Sequence, residues 1–182
     1  MEINKTPLKD AVILKYRILR DARGYFDVRY QKDKLFQLGL KTEFLQDNHS
    51  YSIPGVLRGL HYQLSPTQSK LVSVIRGKIF DYIIDLRTSS PSFGQGFGVE
   101  LSESSETALF VPQGFAHGFC VLGTEPADVI YKVDAPYSPS GEKGLLFNDP
   151  DLDISWPVSS PILSEKDYKL SSWKDYLKSP DF

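Results

Sequence analysis

Proton transfer is the chemistry that the polar residues of this chain suit best. His61 lies in a short run that also holds Arg58, Tyr62 and Gln63, and Lys70 follows soon after. A lone histidine on a strand is more often a core residue with satisfied hydrogen bonds than a catalytic one. The density of polar side chains around His61 favours general acid–base work instead.

The environment of Lys70 stays open from the sequence. It precedes the apolar run 71–75 and shares a strand face with Val72 and Val74. If that face is interior, Lys70 is a buried cation that awaits an anionic partner. If it is not, Lys70 is a solvated residue at a strand edge.

Two further segments hold candidate residues. In the run 112–119 a tight turn leads into His117, and Gly114 and Gly118 indicate a close approach of the backbone to a ligand or a neighbouring strand. Tyr131 and Tyr137 follow, although a strand tyrosine is usually a packing residue.

Asp167 has a simpler explanation than catalysis. Together with Ser164 it matches the S-x-x-D/E pattern of a helix capping box, and the sequence alone favours that interpretation.

A metal site is not expected. The chain has three histidines, His49, His61 and His117, and the neighbours two positions from His61 on its strand are Gly59 and Gln63. Neither residue is a good metal ligand, whereas transition-metal sites in β-barrels need several imidazoles and a carboxylate. We therefore expect no metal.

The elements that must position these residues are mostly strands. Turn residues such as Gly, Pro and Ser separate β-branched or aromatic runs, which predict strands at 12–19, 25–30, 44–49, 56–63, 71–75, 78–86, 98–101, 108–111, 117–122 and 129–133. A polar loop is expected at 50–55 and a short helix near 32–38, with Gly39 as its stop. One or two short helices are predicted within 164–177. The fold class is mainly β, an antiparallel jelly-roll sandwich or barrel with short C-terminal helices.

Composition limits the classes of function. The 182 residues suit a single domain, 1–182, and a formal net charge of −2 gives no positive field for long nucleic acid. The single cysteine, Cys120, lies in an apolar run and is interpreted as a small buried hydrophobe. No signal sequence and no apolar stretch near ~20 residues is found, so a cytoplasmic protein without a membrane segment is expected.

Several stretches together resemble the dTDP-4-dehydrorhamnose 3,5-epimerase family, a metal-free branch of the cupin-like jelly rolls. They are Gln-Asp-Asn-His-Ser at 46–50, Val-Leu-Arg-Gly-Leu-His-Tyr-Gln at 56–63, Lys-Leu-Val at 70–72, the run 112–119, Tyr-Lys at 131–132, Tyr-Ser-Pro at 137–139 and Phe-Asn-Asp at 147–149. Their order and completeness make the resemblance specific, and it covers nearly the whole chain.

The resemblance implies a role for each matching residue. His61 would be the base that removes a proton beside the 4-keto group of the sugar, and Asp167 would hold its tautomer. Tyr131 would return a proton from the opposite face, and Lys70 would stabilise the enolate oxygen. The implied reaction is cofactor-independent epimerisation at carbons 3 and 5 of dTDP-4-dehydro-6-deoxy-D-glucose, which gives dTDP-4-dehydro-L-rhamnose.

The resemblance also implies a set of substrate-binding residues: Arg23, Phe26, Gln46, Asn48, Arg58, His117, Tyr137 and Glu142. Some of these groups would come from a partner subunit in a homodimer formed with N-terminal strand exchange. One departure stands out, because Val28 occupies a position where the family commonly has a glutamate that helps to contact the nucleotide. The identity of the nucleotide is therefore open.

Three alternatives stay open from the sequence. A relative that inverts only carbon 3 or carbon 5 would use the same base and acid. A non-catalytic cupin that binds sugar nucleotides would need neither of them. A metal-dependent cupin oxygenase would need more imidazoles than this chain offers.

Overall fold

The computed structural model describes residues 1–182 and consists mainly of short antiparallel strands. The strands are β1 (Glu2–Lys5), β2 (Val12–Lys15), β3 (Ile18–Asp21), β4 (Gly24–Asp27), β5 (Gln46–Ser52), β6 (Leu57–Gln63), β7 (Lys70–Arg76), β8 (Lys78–Asp85), β9 (Gly96–Ser102), β10 (Thr107–Val111), β11 (Phe115–Val121), β12 (Ala127–Val133) and β13 (Glu142–Gly144). Two short α-helices, α1 (Lys32–Gln37) and α2 (Trp173–Lys178), and a 3₁₀ turn, η1 (Asp167–Lys169), complete the fold.

Two sheets form the sandwich. The first has six strands in the order β1-β2-β10-β7-β12-β5, and the second has five in the order β13-β6-β11-β8-β9. Strands that are distant in sequence become neighbours, as in jelly rolls. The main core lies between the sheets, with apolar side chains from both: Val72, Val74, Ile79, Ile83, Leu109, Phe115, Phe119 and Val129. The predicted mainly β, antiparallel fold class is confirmed.

A second core covers the outer face of the six-stranded sheet. Leu14, Leu71 and Phe110 project outward from their strands and pack against Leu35 of α1. Gly39 has a φ of +91° and follows α1 directly, as a helix stop should. The segment between β4 and β5 therefore serves to cover this face of the sheet.

The predicted short C-terminal helices are present. The predicted range 164–177 contains η1 and α2, which an extended stretch separates. Ser172 caps α2, because its Oγ accepts a hydrogen bond from the backbone N–H of Asp175 at 3.1 Å. No helix in the chain is both long enough and apolar enough to cross a bilayer.

Two predicted boundaries were wrong, each because long-range pairing decides where a strand ends. The predicted strand at 12–19 is divided into β2, which joins the main sheet, and β3, which pairs only with β4 in a separate hairpin. The predicted polar loop at 50–55 is strand as far as Ser52, because its backbone pairs with Ala127 of β12. The sequence interpretation also missed β1 and β13.

Cys120 fulfils its predicted role as a small buried hydrophobe. It lies on β11 with no exposed surface, and its thiol is free. Burial raises the pKa of the thiol to about 11, so the neutral form prevails at neutral pH.

Candidate active site

A cavity of about 510 Å³ opens between the two sheets, and most of the predicted site residues line it. The five-stranded sheet and the segment 162–167 form one wall, and the six-stranded sheet forms the other. The polar lining residues are Ser50, Arg58, His61, Lys70, His117, Tyr131, Tyr137, Glu142, Ser164 and Asp167.

His61 and Asp167 are hydrogen-bonded partners. The Nε2 atom of His61 lies 2.6 Å from Oδ1 of Asp167, whose side chain is only 4% exposed. Burial acts to raise the pKa of the Asp167 carboxyl, but the bond to His61 opposes it, and the net pKa is below its usual range. A carboxylate at Nε2 fixes the proton on that nitrogen, so the Nδ1 atom of His61 is left with a free lone pair.

The capping interpretation of Asp167 is also correct in part. The Ser164 hydroxyl donates to Oδ2 of Asp167 at 2.9 Å and accepts from the Asp167 backbone N–H at 3.3 Å. Ser164 thus holds the carboxylate from one side while His61 engages it from the other. The same local turn that explains the residue by capping also aims it at the histidine.

Backbone pairing anchors the segment that carries Asp167. Ile162 forms a parallel bridge with Val56, and its carbonyl accepts the N–H of Leu57 at 2.9 Å. Asp167 is therefore attached to the same strand, β6, that bears His61. The segment 162–167 therefore brings Asp167 next to His61, although the two residues are far apart in the sequence.

Tyr131 and Lys70 come from the facing sheet. Tyr131 is opposite Val72 in the register of β12 with β7, and Lys70 is opposite Val133. Because strand side chains alternate between faces, Tyr131 and Lys70 are diagonal neighbours on one face. Tyr131 packs against the core between the sheets, so this face is the inner one. The open question about Lys70 is answered, since its side chain projects into the cavity.

Burial sets the protonation of these two groups. Desolvation lowers the pKa of Lys70 to about 8, although the negative charges of Asp81 and Glu142 oppose that change. Desolvation also raises the pKa of the Tyr131 phenol, so the phenol keeps its proton at neutral pH. Lys70 can therefore stabilise an oxyanion below pH 8, and Tyr131 has a proton to donate.

A bulge in β6 brings Arg58 to the cavity. Three residues of β11, from His117 to Phe119, span the same length as four residues of β6, from His61 to Arg58. Strict alternation would put Arg58 and His61 on opposite faces, and the sequence interpretation used that alternation. Because of the bulge, this expected placement on opposite faces is wrong, and both side chains line the same cavity.

Gly59 makes this bulge possible. Its φ is +106°, and a Cβ atom there would lie 2.6 Å from the His117 carbonyl oxygen and 2.8 Å from Cα of Gly118. A Cβ atom on Gly118 would in turn lie 2.7 Å from the Arg58 carbonyl oxygen. The predicted close approach at Gly118 is confirmed, and a neighbouring strand makes it.

His117 pairs with an aspartate that the sequence interpretation missed. Its Nε2 atom lies 2.7 Å from Oδ1 of Asp81, and both side chains are buried. The two atoms are in ion-pair contact, but the angle is not that of a hydrogen bond. The sequence of β8 could have indicated this contact, because Asp81 lies on the inward face of the strand between the buried Ile79 and Ile83.

Tyr137 and Glu142 form the rim at one end of the cavity. The Tyr137 hydroxyl donates to Oε2 of Glu142 at 2.6 Å, and the ammonium of Lys166 pairs with the same oxygen. Lys166 was not predicted, although it immediately precedes Asp167 and lies in the same segment, 162–167.

The remaining predicted binding residues divide into two groups. Gln46 and Asn48 lie on the inner row of β5 and bond each other at 2.7 Å, and Asn48 is directly opposite Tyr131. Arg23 and Phe26 lie elsewhere, on the exposed β3–β4 hairpin, where Arg23 pairs with Asp21. The structure does not bring Arg23 and Phe26 to the cavity of their own chain.

The side chains that commonly bind metals are not clustered. No group of three or more histidine, cysteine, aspartate or glutamate side chains is arranged to hold a metal ion. The cavity is lined instead by two imidazole–carboxylate pairs, a phenol and an ammonium.

This cavity has a carboxylate-bound imidazole on one sheet and a protonated phenol and an ammonium on the other. Such an arrangement defines an enzyme that transfers protons. Comparison with known proteins gives the particular family. The model of the dTDP-4-dehydrorhamnose 3,5-epimerase family matches residues 5–175, and the chain belongs to that family of isomerases.

The sequences of known relatives match this chain over nearly its full length. The dTDP-4-dehydrorhamnose 3,5-epimerase of Shigella flexneri is 47% identical over 170 residues, which cover 92% of this chain and 93% of the relative. A crystal structure of the Bacillus anthracis enzyme with TDP and PPi bound has a TM-score of 0.91 at 47% identity and covers 94% of this chain and 98% of its own. The Legionella pneumophila enzyme in complex with dTDP-4-keto-L-rhamnose has a TM-score of 0.89 at 42% identity, covering 94% and 92%.

Proposed function

We propose that this protein inverts carbons 3 and 5 of dTDP-4-dehydro-6-deoxy-D-glucose and so produces dTDP-4-dehydro-L-rhamnose. Relatives with 3,5-epimerase names match over more than nine tenths of the chain. The related Legionella structure contains the keto-rhamnose nucleotide. The observation that carries the proposal is that base and acid stand on opposite sheets, because inversion needs proton removal on one face of the sugar and proton delivery on the other.

The first step removes a proton from a carbon beside the ketone. His61 accepts it on Nδ1, while the Asp167 carboxylate bonded at Nε2 favours the imidazolium that results. The electron pair of the broken C–H bond becomes the C=C bond of an enolate, and the negative charge moves to the 4-oxygen. The Lys70 ammonium stabilises that oxygen, an effect typically of ~10²–10³ in rate.

The second step delivers a proton to the opposite face of the same carbon. Tyr131 donates its phenolic proton, the enolate returns to the ketone, and the configuration is inverted. The phenolate and the imidazolium then regain and lose a proton through solvent, which restores the enzyme. Repetition at the second carbon completes the reaction, and each positioned acid or base contributes ~10²–10⁴ in rate. Every step is a proton transfer, so no redox cofactor is required.

Binding of the nucleotide is assigned to the residues around the cavity. Arg58 is suited to a diphosphate because its guanidinium presents paired donors in a fixed fork. Asn48 and Gln46 supply amides on the inner row of β5. Tyr137, which is 56% exposed at the rim, would stack on the base, and His117 would lie beside the sugar.

Arg23 and Phe26 support a homodimer. Both lie on the exposed β3–β4 hairpin, outside the cavity of their own chain, so they would contact a nucleotide only in the site of a second copy. In the single chain β1 pairs with β2, and an exchange of N-terminal strands between two copies belongs to this proposal. A location in the cytoplasm also belongs to this proposal.

Selectivity for the nucleotide is the least constrained part of the proposal. Val28 follows β4 on the exposed side, and the adjacent Asp27 carboxylate does not replace a glutamate there, because its Oδ2 atom is 3.1 Å from Nε of Arg29. A comparison of dTDP- and UDP-linked 4-keto sugars as substrates measures the consequence.

Exchange of solvent deuterium tests the proposed reaction. The purified protein is incubated with dTDP-4-dehydro-6-deoxy-D-glucose in deuterated water, and each sugar carbon is followed by NMR. Deuterium at carbons 3 and 5, with inversion at both, is the expected result. Label at one carbon only would indicate a single-carbon epimerase, and no label would reject this substrate.

A further inference from the structure

Glu142 lies at the catalytic end of the cavity as well as at its rim. On β13 it is directly opposite Gln63 of β6, and Gly144 is opposite His61. Glu142 is therefore a diagonal neighbour of His61 on the same face of the sheet. Its side chain is 15% exposed and lines the cavity with Lys70 and Tyr131.

The contacts of Glu142 keep its carboxylate charged. Oε2 accepts the Tyr137 hydroxyl and pairs with the Lys166 ammonium. Burial acts to raise the pKa of Glu142, but these two bonds and the proximity of His61 and Lys166 outweigh it, and the net pKa is lowered. A fixed negative charge therefore stands beside the groups that carry out the proton transfers.

We propose that Glu142 is a positioning residue for the chemical step, whose charge keeps Lys70 protonated for oxyanion stabilisation, rather than a residue that only contacts the nucleotide. This inference rests on the proposed epimerase function. Its physical basis is Coulombic attraction, which favours a buried ammonium when a carboxylate lines the same cavity.

The other charged groups around Lys70 do not make Glu142 redundant. Asp81 on β8 also acts on Lys70, and its effect on the Lys70 pKa is the larger of the two, so the charge of Glu142 adds to that of Asp81. The titratable and charged groups that line the same cavity from the remaining elements are Arg58 and His61 on β6, Tyr131 on β12, Tyr137 after β12 and Asp167 on η1. Asp167 is engaged by His61, whereas Glu142 and Lys70 line the same cavity.

The pH profile of turnover distinguishes the two roles of Glu142. In Glu142→Gln the amide oxygen can still accept the Tyr137 hydroxyl, but the charge is lost. We expect the basic limb of the kcat profile to move to lower pH by about 0.5–1 unit, because the loss of a nearby negative charge disfavours the Lys70 ammonium. Glu142→Asp should restore the limb. Asp151→Asn, a surface carboxylate on the loop after β13, is the matched control and should leave the profile unchanged.

The alternatives give different results. A rise in KM with an unmoved basic limb would mean that Glu142 serves nucleotide binding alone, and the inference would be overturned. A failure of the proposed function is distinguishable, because the unmodified protein itself would then show no turnover. Circular dichroism of each variant confirms that it is folded before kinetics are compared.

Discussion

His61 and Asp167 are separated by 106 positions in the sequence, yet their side chains meet at 2.6 Å. Two polar side chains define the environment of the Asp167 carboxylate: the His61 imidazole at Oδ1 and the Ser164 hydroxyl at Oδ2. At the scale of single residues, the site is therefore a base whose orientation depends on a buried carboxylate. That dependence can be measured.

Asp167→Asn should lower kcat by ~10²–10³, within the range of general-base effects. An asparagine amide can donate to Nε2 and so favour the wrong tautomer, which leaves Nδ1 protonated and unable to act as a base. Ser164→Ala is the matched control, because it removes only the support at Oδ2 and should cost less than about tenfold. Steady-state kinetics on both variants provide the measurement, and equal losses would contradict this account of the dyad.

The pH dependence of turnover should reflect Lys70. Desolvation lowers its pKa to about 8, and the ammonium, not the amine, stabilises the oxyanion. Since protonated Lys70 is the active form, kcat should be maintained below pH 8 and decline as the pH rises through about 8. In Lys70→Met this decline should disappear, together with most of the activity. A profile that stays flat to pH 10 would show that Lys70 does not carry this role.

At the scale of elements, the bulge in β6 is the feature that assembles the site. It turns Arg58 and His61 to one face and depends on a glycine at 59 with a φ of +106°. A regular strand would direct one of the two side chains away from the cavity. The catalytic geometry thus requires a local irregularity that hydrophobic alternation does not encode.

Gly59→Ala should destabilise the protein by about 2–4 kcal/mol, because the new Cβ atom meets backbone atoms within 3 Å and the φ is unfavourable for alanine. Gly123→Ala separates the steric clash of a new Cβ atom from the conformational cost of a positive φ. Gly123 has a φ of +76° but open space around its Cβ position, so only the conformational cost of about 1–2 kcal/mol should appear. Denaturant unfolding measures the difference, and equal costs would show that the close approach of β6 and β11 is unimportant.

The sequence predicted some elements better than others for physical reasons. Strand positions in β7, β8 and β10 followed from β-branched or aromatic runs between turn residues, because these strands are buried along most of their length. The end of β5 was missed, since its polar residues 50–52 become strand only through pairing with β12. The bulge at Gly59 and the Asp81–His117 contact depend on neighbours from other strands, and no local pattern specifies such neighbours.

The residues of the site also differ in how well the sequence predicted their positions. The proximity of His61 and Asp167 came from the family resemblance, because capping explained Asp167 from its own surroundings. Lys70 could be placed on a strand face but not inside or outside, since that depends on which face the second sheet covers. Asp81 could have been found from the sequence, because an aspartate between two isoleucines of the same inward row is unusual for a core position.

At the scale of the whole molecule, two sheets hold base and acid on opposite walls of one cavity. The β3–β4 hairpin projects away from this sandwich and exposes Leu19, Tyr25 and Phe26. An exposed apolar hairpin that also carries an arginine is suited to contact with a second copy. We therefore propose that the complete site forms only in a dimer.

Mixing two inactive variants tests that view. One carries Arg23→Ala and Phe26→Ala in the hairpin, and the other carries His61→Asn in the cavity. Random assortment by unfolding and refolding should give about half heterodimers, each with one intact site, and so about one quarter of the normal activity. Light scattering verifies the dimer. Activity that stays at the level of the separate variants would show that the hairpin does not serve a partner's site.

The central claim is that proton removal and proton delivery come from opposite sheets, and Tyr131→Phe in deuterated water tests it most directly. His61 can still remove a proton and return a deuteron to the same face, so the account predicts label at carbons 3 and 5 with retained configuration. Inverted product should fall by ~10²–10⁴. His61→Asn should abolish both label and inversion. Inversion by Tyr131→Phe at the normal rate would contradict the account.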